Sequence, residues 1–163
     1  MAEVHRAFLE AGSDIIETNT FNGQTISQSD YDLEKSVYDI NYHGSRIARQ
    51  EADAMSKKDG TWRLVAGAVG PTNRTTSISP KVEDPGFRNT DYLEIKDCYK
   101  EQIKALIEGG CHIILIETIF DSLNSRAGVF AYKEFYEENP HLRPLPLFIS
   151  GTIIDMAGRT LSG

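Results

Sequence analysis

The sequence predicts an α/β fold in which parallel β/α units form a partial (β/α)8 TIM barrel, about four of its eight strands. Three observations carry this reading. Stretches of helical periodicity alternate with short apolar runs, so that a helix leads into each run. One phrase occurs twice, as Glu-Ala-Gly-Ser-Asp-Ile-Ile-Glu-Thr-Asn-Thr-Phe over residues 10–21 and as Glu-Gly-Gly-Cys-His-Ile-Ile-Leu-Ile-Glu-Thr-Ile-Phe over residues 108–120. Finally, the sequence opens inside a helix with no strand before it and closes just past a strand with no helix after it, as a piece of a larger barrel would.

Each element has a local reason. Val4, Ala7, Phe8 and Ala11 fall at helical spacing and Gly12 stops the helix. Asp14–Thr18 follows as a short strand. Residues 19–30 are rich in Asn, Thr, Ser and Gln and read as a loop holding one helical turn. Leu33, Val37, Ile40, Ile47 and Ala48 mark a long helix that ends before Lys57-Lys58-Asp59-Gly60. Arg63–Val69 is the second strand, closed by Gly70-Pro71. The stretch from there to Asn89 is broken by Pro80 and Pro85, and a structureless loop of about 20 residues in a compact domain is more often functional than idle. Asp91 caps a helix carrying Ile95, Tyr99, Ile103, Leu106 and Ile107, which Gly109-Gly110 stops. Ile113–Thr118 is the third strand, Ser122–Glu138 a helix ended by Asn139-Pro140, and Leu145–Ser150 the fourth strand.

Consecutive βα crossovers imply a parallel sheet with right-handed connections. The runs Ile-Ile, Leu-Val-Ala and Ile-Ile-Leu-Ile are continuous, as expected where both sheet faces are covered. A doubly wound open sheet and a barrel both satisfy this pattern. A barrel takes about 250 residues and eight strands, so residues 1–163 would be a single incomplete domain with two unpaired sheet edges.

The 163 residues, 40% of them hydrophobic, suffice for a real core. The net charge of −7 argues against nucleic acid or an anionic membrane as partner. No apolar run approaches the roughly 18–20 residues that cross a bilayer, and the amino terminus lacks the apolar core of a signal peptide. Two cysteines make no disulfide framework. A cytoplasmic setting is expected.

In a parallel α/β sheet the chemistry gathers at the carboxyl ends of the strands. Glu117 ends an apolar strand there, where a partly desolvated carboxylate can bind an ammonium group or move a proton; it can equally cap the next helix or pair with an arginine. Glu17 has the same standing and is followed by Asn19 and Asn22, which suit hydrogen bonding. Gly67–Asn73 offers glycines and exposed amides but lacks the Gly-Lys-Ser/Thr ending of a phosphate loop, and Ser150-Gly151-Thr152 is equally ambiguous. His5, His43, His112 and His141 are scattered without metal-ligand spacing, which points to surface or helix-packing roles. Cys98 and Cys111 read as small buried residues rather than ligands.

Several of these phrases together resemble the homocysteine-binding methyltransferase family: Asp-Ile-Ile-Glu-Thr-Asn-Thr-Phe (14–21), Gly-Pro-Thr-Asn-Arg-Thr (70–75), Ser-Ile-Ser-Pro (77–80), Ile-Glu-Thr-Ile-Phe-Asp (116–121) and Ile-Ser-Gly-Thr-Ile (149–153). The closing Gly-Arg-Thr-Leu-Ser-Gly (158–163) is similar to the cobalamin-dependent methionine synthase branch, rather than to the betaine- or S-methylmethionine-dependent relatives. The resemblance implies a (β/α)8 barrel that binds homocysteine, activates its thiol with a zinc ion held by three cysteines, and receives a methyl group from methylcobalamin. It implies folate- and cobalamin-binding modules in the same full-length protein. Carried over by position, it makes Glu117 the contact to the homocysteine amino group and puts Asn19, Thr20 and Asn73 at the pocket rim. The segments that hold the zinc ligands have no counterpart here, so the resemblance implies no catalytic or metal-binding residue in this stretch and no methyl transfer by these residues alone. Three other readings stay open: a betaine- or S-methylmethionine-dependent homocysteine methyltransferase, a small phosphate-binding α/β protein, and a non-catalytic truncated remnant.

Overall fold

The computed structural model describes residues 1–162. Helix α1 (Ala2–Glu10) leads into β1 (Ile15–Glu17), and a short α2 (Thr25–Gln28) with two 3-10 turns (Ser29–Tyr31 and Glu34–Ser36) precedes the long α3 (Val37–Asp59). Then follow β2 (Leu64–Val69), α4 (Tyr92–Gly109), β3 (Ile113–Ile119), α5 (Ser122–Glu138) and β4 (Leu147–Gly151). All pairings are parallel, and the spatial order β1-β2-β3-β4 repeats the chain order. A doubly wound sheet reverses direction at a switch point; this one advances in one direction throughout, as the wall of a barrel does.

Side-chain parity sorts the wall into two faces. Val65, Ile114 and Ile116 point outward and are at most 1% exposed. They pack against Ala48 and Ala52 of α3, Ile95, Ile103 and Leu106 of α4, and Ala127 and Ala131 of α5. Full burial of each such branched side chain contributes roughly 1.5–3 kcal/mol, so the core lies between the sheet and its helices. The opposite face differs from the expectation that both would be covered. Ile15 keeps 44% and Phe148 49% of their surface in water, because among the described residues the inward face of this arc of four strands has nothing opposite it. Continuous apolar runs record the lining of a barrel as readily as a sheet between two helix layers.

Element ends moved by a few residues for identifiable reasons. The long helix starts at Val37, and Leu33–Ser36 forms a tighter turn ahead of it. At its other end Lys57 and Lys58 lie inside the last turn, where cations favour the helix dipole. Gly60, at φ 75°, closes the helix by donating its amide to the Ser56 carbonyl. Strand β4 begins only at Leu147, since Pro144 and Pro146 have no amide to give to the ladder. Asp91 and Asp121 cap α4 and α5 with side chains that accept the second and third backbone amides of each helix.

Candidate functional site

The register fixes what faces the concave side. Ile15 pairs with Leu64 and Glu17 with Ala66, while Ala66 pairs with Ile113 and Leu115 with Phe148. Glu117, two residues beyond Leu115, shares its face. Glu17 and Glu117 therefore line one concavity of about 340 Å³, together with Ile15, Ala66, Leu115, Phe148 and Ser150. Toward the amino-terminal strand ends it is followed by a larger apolar hollow of about 810 Å³ bordered by Trp62, Leu64 and Pro146.

The two Glu-Thr phrases have become chemically different. Thr18 is buried: its hydroxyl accepts the Ala68 amide at 2.9 Å and shares a 2.6 Å hydrogen bond with Thr20, extending the β1–β2 ladder through side chains. Thr118 is exposed and sits at φ 56°, the left-handed region that a β-branched residue rarely enters. The β3–β4 register breaks between Ile116 and Ile119, so Glu117 rides on a bulge. Bulges and strained residues of this kind re-aim side chains beside functional sites. Thr118→Gly is expected to release about 1 kcal/mol of this strain and to raise the thermal midpoint by about 2–4 °C. An unchanged or lower midpoint in a thermal scan would contradict that account.

Burial raises the Glu117 pKa above the ordinary carboxylate range, and the neighbouring Glu17 charge raises it further. A carboxyl group whose pKa is raised on folding favours the folded state while protonated. Its contribution is complete below the unfolded pKa and is lost as pH climbs through the folded one. Glu117→Gln should therefore leave stability near pH 4 almost unchanged and increase it at pH 7. Urea unfolding at the two pH values measures the difference, and equal effects at both would count against the coupling.

A buried polar scaffold holds the strand-end loops around this concavity. Gln24, Asn41 and Gln102 have no exposed surface. Gln102 Nε2 donates to the Thr20 carbonyl at 2.7 Å and to Asn41 Oδ1 at 3.1 Å, while its Oε1 accepts from Gln24 Nε2 at 2.9 Å. Gln24 also reaches the Phe21 and Gly70 carbonyls, and Asn41 the Gly23 carbonyl. On the other side Asp121, 2% exposed, anchors the loop after β2. Its carboxylate accepts the Thr76 and Ser77 amides at 3.1 and 2.9 Å and the Ser77 hydroxyl at 2.6 Å. Asn124 adds bonds to Thr76, Thr72 and the Arg74 carbonyl. Arg88 then crosses the base of that loop, donating to the carbonyls of Thr76, Ser77, Pro85 and Phe87. Sequence reading missed Gln24, Asn41, Gln102, Asn124 and Arg88; it placed Asp121 in a family phrase without a role, and the local signal there is its position ahead of α5.

Residues 1–163 match the family model described as homocysteine S-methyltransferase. The chain belongs to the homocysteine S-methyltransferase family. In fold it is similar to homocysteine methyltransferase MmuM from Escherichia coli. The metallated form superposes with a TM-score of 0.73 at 19% identity, covering 99% of this chain and 54% of that one. The oxidized form gives 0.73 at 18% identity over 99% and 53%, and the apo form 0.62 at 19% over 98% and 53%. The chain thus spans about half the length of these structures, in keeping with the partial barrel read from its sequence.

Within this homocysteine S-methyltransferase fold the residues assigned to the substrate do not all converge. Glu117 faces the concavity. Thr20 does not form a rim: it is 1% exposed, and its hydroxyl is engaged by Thr18 and the Ala68 carbonyl, because the chain turns behind the sheet directly after β1. Asn19 is exposed but lies against Gly44 of α3, and Asn73 donates to Asp30 at 2.7 Å across the loops. Neither borders the concavity. Zinc, which the family's fold implies, is not matched by the cysteines present. Cys98 and Cys111 are 6% and 5% exposed, and burial pushes both thiols up to about 12, the reverse of what a metal-bound thiolate requires. Among the described residues no group of three or more His, Cys, Asp or Glu side chains is placed to hold a metal. Nor is any helix among them long and apolar enough to cross a membrane.

Proposed function

We propose that this chain forms the amine-binding wall of a homocysteine S-methyltransferase, with Glu117 as the carboxylate that receives the substrate ammonium. The observation that carries the proposal is the carboxylate pair on one concave face: burial and Glu17 both disfavour the ionised form of Glu117, and a bound cation relieves both effects. Glu17 supports the same ammonium from the neighbouring side of the concavity. Asn19 and Asn73 act at longer range, through the loops that border the strand ends, and Thr20 through the Thr18–Thr20 brace behind β1. In the full-length protein we assign the reaction to methyl transfer from methylcobalamin onto homocysteine sulfur, giving methionine in the cytoplasm, with folate- and cobalamin-binding modules as partners. The closing phrase at residues 158–163 supports that donor over betaine or S-methylmethionine; Gly163 itself lies outside the described residues. Zinc would supply the thiolate from residues outside this stretch.

The test separates the amine from the thiol. In amide NMR titrations of the 163-residue chain, L-homocysteine should shift resonances of β1, β3 and β4, whereas 4-mercaptobutyrate, which lacks the amine, should not. Glu117→Gln should weaken homocysteine binding about 10–100-fold, the value of one charge-assisted hydrogen bond. Equal binding of both compounds, or binding indifferent to Glu117→Gln, would refute the assignment.

A further inference from the structure

The β2–β3 ladder begins with a side chain standing in for backbone. His112, one residue ahead of β3, donates its amide to the Val65 carbonyl at 2.8 Å. In a parallel ladder the Val65 amide then belongs to the carbonyl two residues back on the neighbouring strand, here that of Gly110. That carbonyl has turned away: Gly110 caps α4 at φ 100°, and its oxygen accepts Arg49 Nη1 at 3.0 Å. The imidazole of His112 fills the gap, and its Nδ1 accepts the Val65 amide at 3.0 Å. Val65 has no exposed surface, so its amide has no water to turn to when that acceptor fails.

A ring nitrogen that accepts carries no proton, which places the hydrogen of the neutral imidazole on Nε2. A protonated imidazole donates from both nitrogens and accepts at neither. At the other end of β2 the Ala68 amide is served in the same manner by the Thr18 hydroxyl, a group that keeps its acceptor across the ordinary pH range. One end of the strand can therefore respond to protons and the other cannot.

We propose that His112 is a proton-operated latch: neutral, it closes the amino-terminal end of the β2–β3 ladder; protonated, it releases the Val65 amide and lets that end fray. The charges around the ring set its poise. From α3 it faces Arg49 and Asp53, themselves paired at 2.9 Å. Arg143, ahead of β4, borders the same hollow as His112. Arg63, just before β2, is turned to Asp14 and Asp59, and Cys111, just after α4, is a buried thiol that burial keeps neutral. Burial first, and then the Arg49 charge, hold the ring below the ordinary histidine value of 6.5, with Asp53 opposing them. The stability that the neutral ring contributes is complete above that value, and it is lost as pH falls through the lower folded one.

The test is NMR of the isotopically labelled 163-residue chain, with circular dichroism to follow the fold. At neutral pH a scalar coupling across the hydrogen bond should join the Val65 amide nitrogen to His112 Nδ1, and the ring proton should sit on Nε2. On acidification the coupling should vanish together with the titration of the His112 ring. Protection of the Val65 amide from solvent exchange, corrected for its intrinsic pH dependence, should fall about three- to tenfold, the value of one hydrogen bond, while Ala68 keeps its own. His112→Asn, whose Oδ1 reaches the place of Nδ1, should protect the Val65 amide at both pH values; His112→Phe should leave it unprotected at both. A ring protonated on Nδ1 at neutral pH, or a Val65 amide indifferent to the ring's titration, would overturn the latch. So would global unfolding before the ring titrates, or an asparagine variant as acid-sensitive as wild type, which would move the effect to the buried His5 of α1.

Discussion

Asp121→Ala is expected to cost about 3–5 kcal/mol and to loosen the Thr76–Ser77 segment of the loop after β2. One carboxylate, 2% exposed, serves two purposes. It caps α5 through the Leu123 and Asn124 amides, worth about 1 kcal/mol. It also accepts the Thr76 amide, the Ser77 amide and the Ser77 hydroxyl. Donors that lose a charged acceptor in a buried setting cost about 1–3 kcal/mol each; Thr76 loses least, since it keeps Asn124 Oδ1. Asp121→Asn should fall between alanine and wild type, because it retains one acceptor oxygen. Urea unfolding gives the stability. Limited trypsin digestion gives the loop: cleavage after Lys81 and Arg88 should accelerate in the alanine variant under native conditions. Unaltered digestion would show that the loop holds itself in place.

The second large effect is expected from Gln102→Leu, a change that favours burial on any hydrophobicity scale and should nevertheless destabilise. The position has no exposed surface, and leucine fills a similar volume. It leaves Asn41 Oδ1 without its donor, takes one of two donors from the Thr20 carbonyl, which keeps the Gly23 amide, and takes one acceptor from Gln24 Nε2. We expect a loss of about 3–4 kcal/mol. Ile103→Val, one residue along the same helix and equally buried, serves as the reference at about 0.5–1.5 kcal/mol. A Gln102→Leu variant as stable as the Ile103→Val variant would show that these amides contribute nothing net.

These two residues also show what the sequence does and does not disclose. Strands and helices were legible because their signals are local: the apolar period of α4, the aspartate ahead of it, the glycines after α3 and α4. Gln102 was not legible, because its partners lie up to 82 residues away and a glutamine on a helix reads as a solvent residue. The site divides in the same way. Glu117 was singled out because a carboxylate ending an apolar strand is conspicuous in one dimension. Thr20 was misplaced because alternation holds only within a strand; β1 ends at Glu17, and the chain then turns behind the sheet. The bulge that aims Glu117 needs a pairing partner to exist at all, and no sequence pattern announces it.

The guanidinium of Arg88 has a consequence for how this molecule can change. It gathers the carbonyls of Thr76, Ser77, Pro85 and Phe87, so the loop is tied at its neck, while the tip bonds only within the loop, through Ser79 to the Lys81 and Asp84 carbonyls and Lys81 over the Phe87 ring, and leaves Val82 exposed. Residues between Pro80 and Asp84 are accordingly the place where length and identity can drift without disturbing the carboxylates at the strand ends. Natural variation, or a deliberately grafted peptide, has room there to acquire a new specificity beside a mouth whose geometry is fixed elsewhere.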